Sequence, residues 1–132
     1  MTLYMLDTNI VSHLVRAHPV VGRHLQRLPI ASLCISAITE GELQFGLSKR
    51  PNARWLQVVV VEFLKRIKVL PWDGAVARHY GSVRALMESQ GKILSPLDLL
   101  IATHALNAGA ILVTNDKSFG QVPMLQIEDW TR

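Results

Sequence analysis

The chain has 132 residues, near the commonest domain size, which predicts a single domain over 1–132 that buries about 70% of its unfolded surface. At 49% apolar and 18% charged, without Gly/Ser tracts or repeats, the composition excludes disordered, collagen-like and solenoid architectures. Fourteen Lys and Arg against ten Asp and Glu leave +4, a balance that suits a polyanion such as nucleic acid and equally an ordinary solvated basic surface.

The one cysteine, Cys34, cannot form an internal disulfide. It sits in the apolar run Leu33-Cys34-Ile35, the setting of a buried thiol in a reducing compartment, and so predicts the cytoplasm. Met1 to Leu6 is too short for a signal-peptide core, and no apolar stretch approaches the ~20 residues of a membrane helix, so export and membrane insertion are not expected.

In chain order, Thr2 to Leu6 predicts a first strand that stops on Asp7, and Thr8 or Asn9 can cap a helix carrying Ile10, Val11, Leu14 and Val15. A short helix from about Val20 to Leu28 follows Pro19, and Ser32 to Ile35 is a second, wholly apolar strand. Ser36 caps a helix through Leu47. Trp55 to Ile67 is assigned as helix on its length without breakers, although Val58 to Val61 would suit a strand. Ile67 to Leu70 is the third strand. Asp73 caps a helix from Ala75 to Gln90, and Ser95 caps another that opens on Pro96 and runs to Asn107 before Gly109. Ala110 to Val113 and Leu125 to Ile127 complete the strands.

Strands alternating with helices imply parallel β-α-β units, hence a three-layer α/β/α domain around a mainly parallel sheet of four or five short strands. Chemistry in such sheets gathers beyond the carboxyl ends of the strands, at a switch point in strand order. Four carboxylates stand where that edge would bring them together: Asp7 after the first strand, Glu42 on the helix that follows the second strand, Asp98 in the first turn of its helix, and Asp116 after the fourth strand.

Each has a plainer explanation. Glu42 follows Thr39 by three residues as in a capping box, or is simply solvated like Glu40. Asp98 completes Ser95-Pro96-Leu97-Asp98, another such box, and Asp116 in Thr114-Asn115-Asp116 suits a turn. Asp7 has the weakest structural reason, because a strand-ending carboxylate without a nearby basic residue gains little. Gathered together, four carboxylates would raise one another's pKa, a cost that a hard divalent cation offsets. Mg²⁺, or Mn²⁺, prefers carboxylate and water oxygens with a substrate phosphate completing the shell, and such a site lowers the pKa of water and stabilises a leaving alkoxide. Thr8, Asn9, Ser36, Thr114 and Asn115 flank these positions as groups that can orient carboxylates, or that merely cap and turn the chain. With four acids in one pocket, six face fourteen bases, leaving the outer surface about +8.

Met5-Leu6-Asp7-Thr8-Asn9, Ile35 to Leu43, Asp98-Leu99-Leu100-Ile101-Ala102 and Val113-Thr114-Asn115-Asp116 to Phe119, in this order and spacing, resemble the PIN domains, and most closely the VapC toxins of bacterial type II toxin–antitoxin pairs. The ending Ile127-Glu128-Asp129-Trp130 is similar to a subgroup of them. The resemblance implies a Mg²⁺-dependent endoribonuclease in which Asp7, Glu42, Asp98 and Asp116 are the acidic metal-binding and catalytic positions; relatives often carry Asn at the fourth. It also implies a VapB-type antitoxin whose tail fills the groove, a homodimer within a toxin–antitoxin hetero-oligomer, and contact with operator DNA only through the antitoxin. Transfer RNA, including the anticodon loop of initiator tRNA, is the implied substrate. Glu40 occupies a site that is frequently apolar in the family.

Attack of cation-activated water on the phosphodiester predicts 5′-phosphate and 3′-hydroxyl ends. Lys49, Arg50, Lys92 and Lys117 are candidates for phosphate contacts, and Trp55, Val59 and Phe63 for an apolar face toward a partner or a second copy, with core burial as the alternative. Rival chemistries lack their residues. The five histidines show no zinc spacing, His104 lies six residues past Asp98 and so points away from it, and no glycine-rich phosphate loop occurs. A phosphoacceptor receiver domain would need an acidic pair where Asp7 stands alone, and Pro71-Trp72 and Asp129-Trp130 occupy its other two places. The remaining alternative is a PIN-type binding module that acts with its antitoxin mainly in transcriptional regulation.

Overall fold

The structure is a computed structural model describing residues 1–132. Five short strands, β1 (Tyr4–Leu6), β2 (Leu33–Ser36), β3 (Lys68–Leu70), β4 (Ile111–Val113) and β5 (Ile127–Glu128), pair wholly in parallel in the order β3-β2-β1-β4-β5. Six helices join them: α1 (Thr8–Val15), α2 (Pro19–Gln26), α3 (Ala37–Lys49), α4 (Arg54–Arg66), α5 (Gly74–Ser89) and α6 (Pro96–Ala108).

Successive strand residues face opposite ways, and here both faces are apolar, as a covered parallel sheet requires. Met5, Cys34 and Leu112 pack with Val83 and Met87 of α5 and Ile101 and Ala105 of α6. Their neighbours Leu6, Leu33, Ile35 and Val113 pack on the other side with Ile10, Val21, Leu43 and Val60 from α1 to α4. The result is the expected three-layer α/β/α arrangement. Burial pushes the Cys34 thiol up to about 12, so it behaves as an inert core group.

The departures from expectation are local. Asp7 itself caps α1, its side chain accepting from Thr8 N at 2.8 Å, so the cap is one residue earlier than the Thr8 or Asn9 that composition favours. The last strand is Ile127–Glu128 rather than Leu125 to Ile127, because pairing with Leu112 and Val113 sets its register. Two 3₁₀ turns, Ile30–Ser32 and Lys117–Gln121, have no periodicity that would announce them. The Val58 to Val61 run is helical: Val60 alone is buried, as one stripe of a helix would have it. Gly109 ends α6 with a left-handed φ of 65°, the position where a helix stop favours glycine.

Near the carboxy terminus, Trp130 is 2% exposed. It stacks on His24 (5.4 Å, 8°), leans on Tyr4 and donates from Nε1 to Glu128 at 2.9 Å. Elsewhere, α1, α2 and α4 leave an apolar trough of about 510 Å³ lined by Leu14, Leu25, Leu28, Val58, Val59 and Phe63. Trp55 is 50% and Val59 39% exposed, so the Trp55–Val59 face is not core. No helix is long and apolar enough to cross a membrane.

Candidate active site

The strand order reverses between β1 and β4, and their carboxyl ends deliver Asp7 and Thr114 side by side. Thr114 Oγ1 donates to Asp7 Oδ2 at 2.8 Å across 107 residues of sequence, while Thr8 N occupies Oδ1. The Asp7 backbone is fixed as well, its N–H donating to Val113 O at 2.9 Å and its carbonyl accepting from Ile10 and Val11. The carboxylate is therefore held at both oxygens and both backbone groups, and is 3% exposed.

Burial raises the Asp7 pKa to about 6, against the pull of its hydrogen bonds from Thr114 and Thr8; the negative charges of Asp98 and Glu42 raise it further. That pattern places the three carboxylates in one electrostatic neighbourhood. Glu42, on the second turn of α3, is half-buried, and its Oε1 accepts from Thr8 Oγ1 at 2.9 Å, so it is neither freely solvated nor a capping-box partner of Thr39. Asp98 sits in the first turn of α6, where Ser95 Oγ accepts from its backbone N–H at 3.4 Å. The local box exists, and the Asp98 side chain still lends its charge to Asp7.

Asp116 differs. Its Oδ1 accepts from both Ser118 N (2.9 Å) and Ser118 Oγ (2.7 Å), capping the 3₁₀ turn, and it is not among the charges that act on Asp7. Its tie to the site is through the backbone, N–H to Thr114 Oγ1 at 3.1 Å. Of the flanking residues, Thr8 and Thr114 bind carboxylates directly, Ser36 caps α3 through Ile38 N at 3.1 Å, and Asn9 and Asn115 are exposed.

One supporting residue escapes the sequence. His104 Nδ1 lies 2.6 Å from Ser36 Oγ inside the core, and burial lowers the imidazole pKa. Its partner Ser36 is the cap of the helix that carries Glu42. The available signal was a polar residue inside the apolar run Ile101-Ala102-Thr103-His104-Ala105, since a buried polar group needs a partner.

The donor set fits a hard cation. No three acidic, imidazole or thiol side chains converge tightly enough to cage an ion by themselves. The donors present are carboxylate oxygens with threonine hydroxyls beside them, the chemistry of a hard divalent cation completed by water and substrate phosphate rather than of a structural zinc site. A carboxylate raised chiefly by burial, and further by two carboxylate neighbours, is the group that such a cation would stabilise.

Residues 4–125 match the PIN domain family. The chain is 38% identical to the tRNA(fMet)-specific endonuclease VapC of Shigella flexneri, covering 99% of this chain and 100% of that one. Among solved structures it is similar to DNA-bound VapBC from Salmonella typhimurium (36% identity, TM-score 0.90) and to VapBC2 from Rickettsia felis bound to a DNA fragment from their promoter (35% identity, TM-score 0.89). Each match covers 98% of this chain and 99% of the other.

Proposed function

The chain belongs to the PIN-domain family, among the VapC ribonucleases, and we propose from that premise that it is the toxin of a type II toxin–antitoxin pair, a Mg²⁺-dependent endoribonuclease of the cytoplasm. The observation that carries this is the Asp7 carboxylate, buried, held at both oxygens and lifted to about 6 beside Asp98 and Glu42. Asp7, Glu42 and Asp98 would hold the cation, with Asp116 at the outer corner. The cation, once bound, supplies the Lewis acidity that makes water nucleophilic and offsets charge on the phosphate.

The protein's own groups set the geometry. Thr114 and Thr8 N fix the direction of the Asp7 lone pairs, Thr8 Oγ1 holds Glu42, and His104 with Ser36 anchors the start of α3 so that Glu42 keeps its place. In-line attack then gives 5′-phosphate and 3′-hydroxyl ends. Transfer RNA is the favoured substrate because the Shigella flexneri relative is named for tRNA(fMet), and an unstacked loop presents a reachable backbone.

The apolar trough between α1, α2 and α4 is the proposed seat of the antitoxin, in a hetero-oligomer built on a toxin homodimer, with operator DNA contacted through the antitoxin. What supports this is exposed apolar surface in a lined concavity, with Val58 62% exposed. Purified chain, with Mg²⁺ and with chelator, is to be incubated with total tRNA and the ends mapped. Discrete Mg²⁺-dependent cuts bearing 5′-phosphates are expected; 2′,3′-cyclic phosphate ends, or cleavage that survives chelation, would sink the mechanism.

A further inference from the structure

A second cavity, of about 150 Å³, has Glu42 in its wall and runs along the crevice between α1 and α3, over an apolar floor that includes Leu43, Leu47 and, from α4, Leu56 and Val60. Thr8, Ser12 and Arg16 line it from α1, and Glu42, Gly46 and Arg50 from α3. Residues four apart lie one above the other on a helix, so each trio is a stripe along its helix. The stripes meet at one end through the Thr8–Glu42 hydrogen bond of 2.9 Å. At the other end each helix closes on an arginine, Arg16 being the C-cap of α1 and Arg50 that of α3. Eight residues at 1.5 Å each put the backbone of that end about 12 Å along the helices from Thr8 and Glu42.

Three features point to an anionic ligand there. Both arginines are exposed, and neither takes part in an ion pair; the four pairs present involve Lys65, Arg66, Arg84 and Arg132. Midway along the α3 wall stands Gly46, where a Cβ would meet no atom within 4 Å, so the crevice stays open. The far end is cationic while the near end is anionic, which matches a strand whose reacting phosphate is at the carboxylates and whose neighbours need positive partners. Cations at helix C-termini also complement the helix dipole; that accounts for a charge at each helix end, but not for both facing one crevice with a glycine between the carboxylates and the arginines.

Resting on the reading of the chain as an RNA hydrolase, we infer that Arg16 and Arg50 form a phosphate subsite that holds the RNA strand to one side of the scissile bond. Eight residues beyond Thr8 and Glu42, the two arginines are placed for a phosphate next to the scissile one, and are positioning residues. A guanidinium offers the paired donors that match phosphate oxygens. Single-stranded RNA fits better than an acidic peptide because the crevice is continuous with the cleavage site.

The test uses the full chain with Arg16→Gln, Arg50→Gln, the double variant and Gly46→Gln, whose side chain would occupy the crevice without changing charge. Binding of a fluorescein-labelled single-stranded oligoribonucleotide is measured over a salt series on an Asp7→Asn background. For the double variant the slope of log affinity against log salt should fall by about 1.4, two contacts at about 0.7 each. In the cleaving enzyme, KM should rise about tenfold with kcat within about twofold, and Gly46→Gln should raise KM with the slope unchanged. An unchanged slope and KM overturn the subsite, as does a variant effect confined to melting temperature or to binding of the antitoxin. If the parent chain cleaves no RNA, the proposed function falls, while the binding series still decides for or against the subsite.

Discussion

Asp7 and Asp116 each follow the end of one of two adjacent parallel strands, β1 and β4, yet the fold employs them differently. Asp7 is satisfied by a hydroxyl 107 residues away and sits among other carboxylates at an unfavourable pKa. Asp116 is satisfied by Ser118, two residues on, in a turn that gains from it. The proposed assignment of the chemistry to Asp7 follows from this contrast, since Asp116, held by its own turn, already has a structural reason to be acidic.

The contrast can be broken by four measurements. Asp7→Asn should lower RNA cleavage by more than about 100-fold, since loss of a ligand exceeds the cost of losing an outer partner; a variant within tenfold of the parent would remove Asp7 from the mechanism. The same substitution should stabilise the cation-free protein above pH 7. With a folded pKa of about 6 against 3.8, the folded state holds the proton more tightly, so parental stability falls as pH rises from about 4 through 6. That is about 3 kcal/mol, a shift in which the opposing Thr114 bond is already counted, so Asn gains up to about 3 kcal/mol above pH 7 and the gain vanishes below pH 4. Parallel pH profiles for the two proteins in denaturant melts would contradict it.

Thr114→Val should weaken cation dependence by about 10- to 100-fold, read as a shift in the Mg²⁺ concentration for half-maximal cleavage, because it frees Asp7 Oδ2 and removes the acceptor for Asp116 N. Asp116→Asn preserves the acceptor that Ser118 uses and should cost about tenfold or less in cleavage rate. Should Asp116→Asn match Asp7→Asn, the two corners are equivalent and the distinction fails.

Much of the layer architecture is legible in the sequence because strand alternation and helix caps are local physics: Ser36, Asp73 and Ser95 cap the helices that their positions predict. Asp7 is legible from contrast alone, a carboxylate ending an apolar run. The partners that hold the site are not. Thr8 to Glu42 spans 34 residues and His104 to Ser36 spans 68, and periodicity reports which face a residue occupies but not which hydroxyl or ring it meets. For the same reason Arg50 stood out as a basic residue while Arg16 did not; only the packing of α1 against α3 turns two helix ends into one place.

The span between Asp7 and Thr114 also governs when activity can begin. On a growing chain the central strand β1 lacks its β4 neighbour until a further 107 residues or so have been added, and at about 5–20 residues per second the half-built sheet persists for several seconds. During that interval Asp7 keeps its local bond from Thr8 N but lacks the Thr114 hydroxyl that fixes its second oxygen, so the carboxylate takes its final orientation only after β4 has joined the sheet.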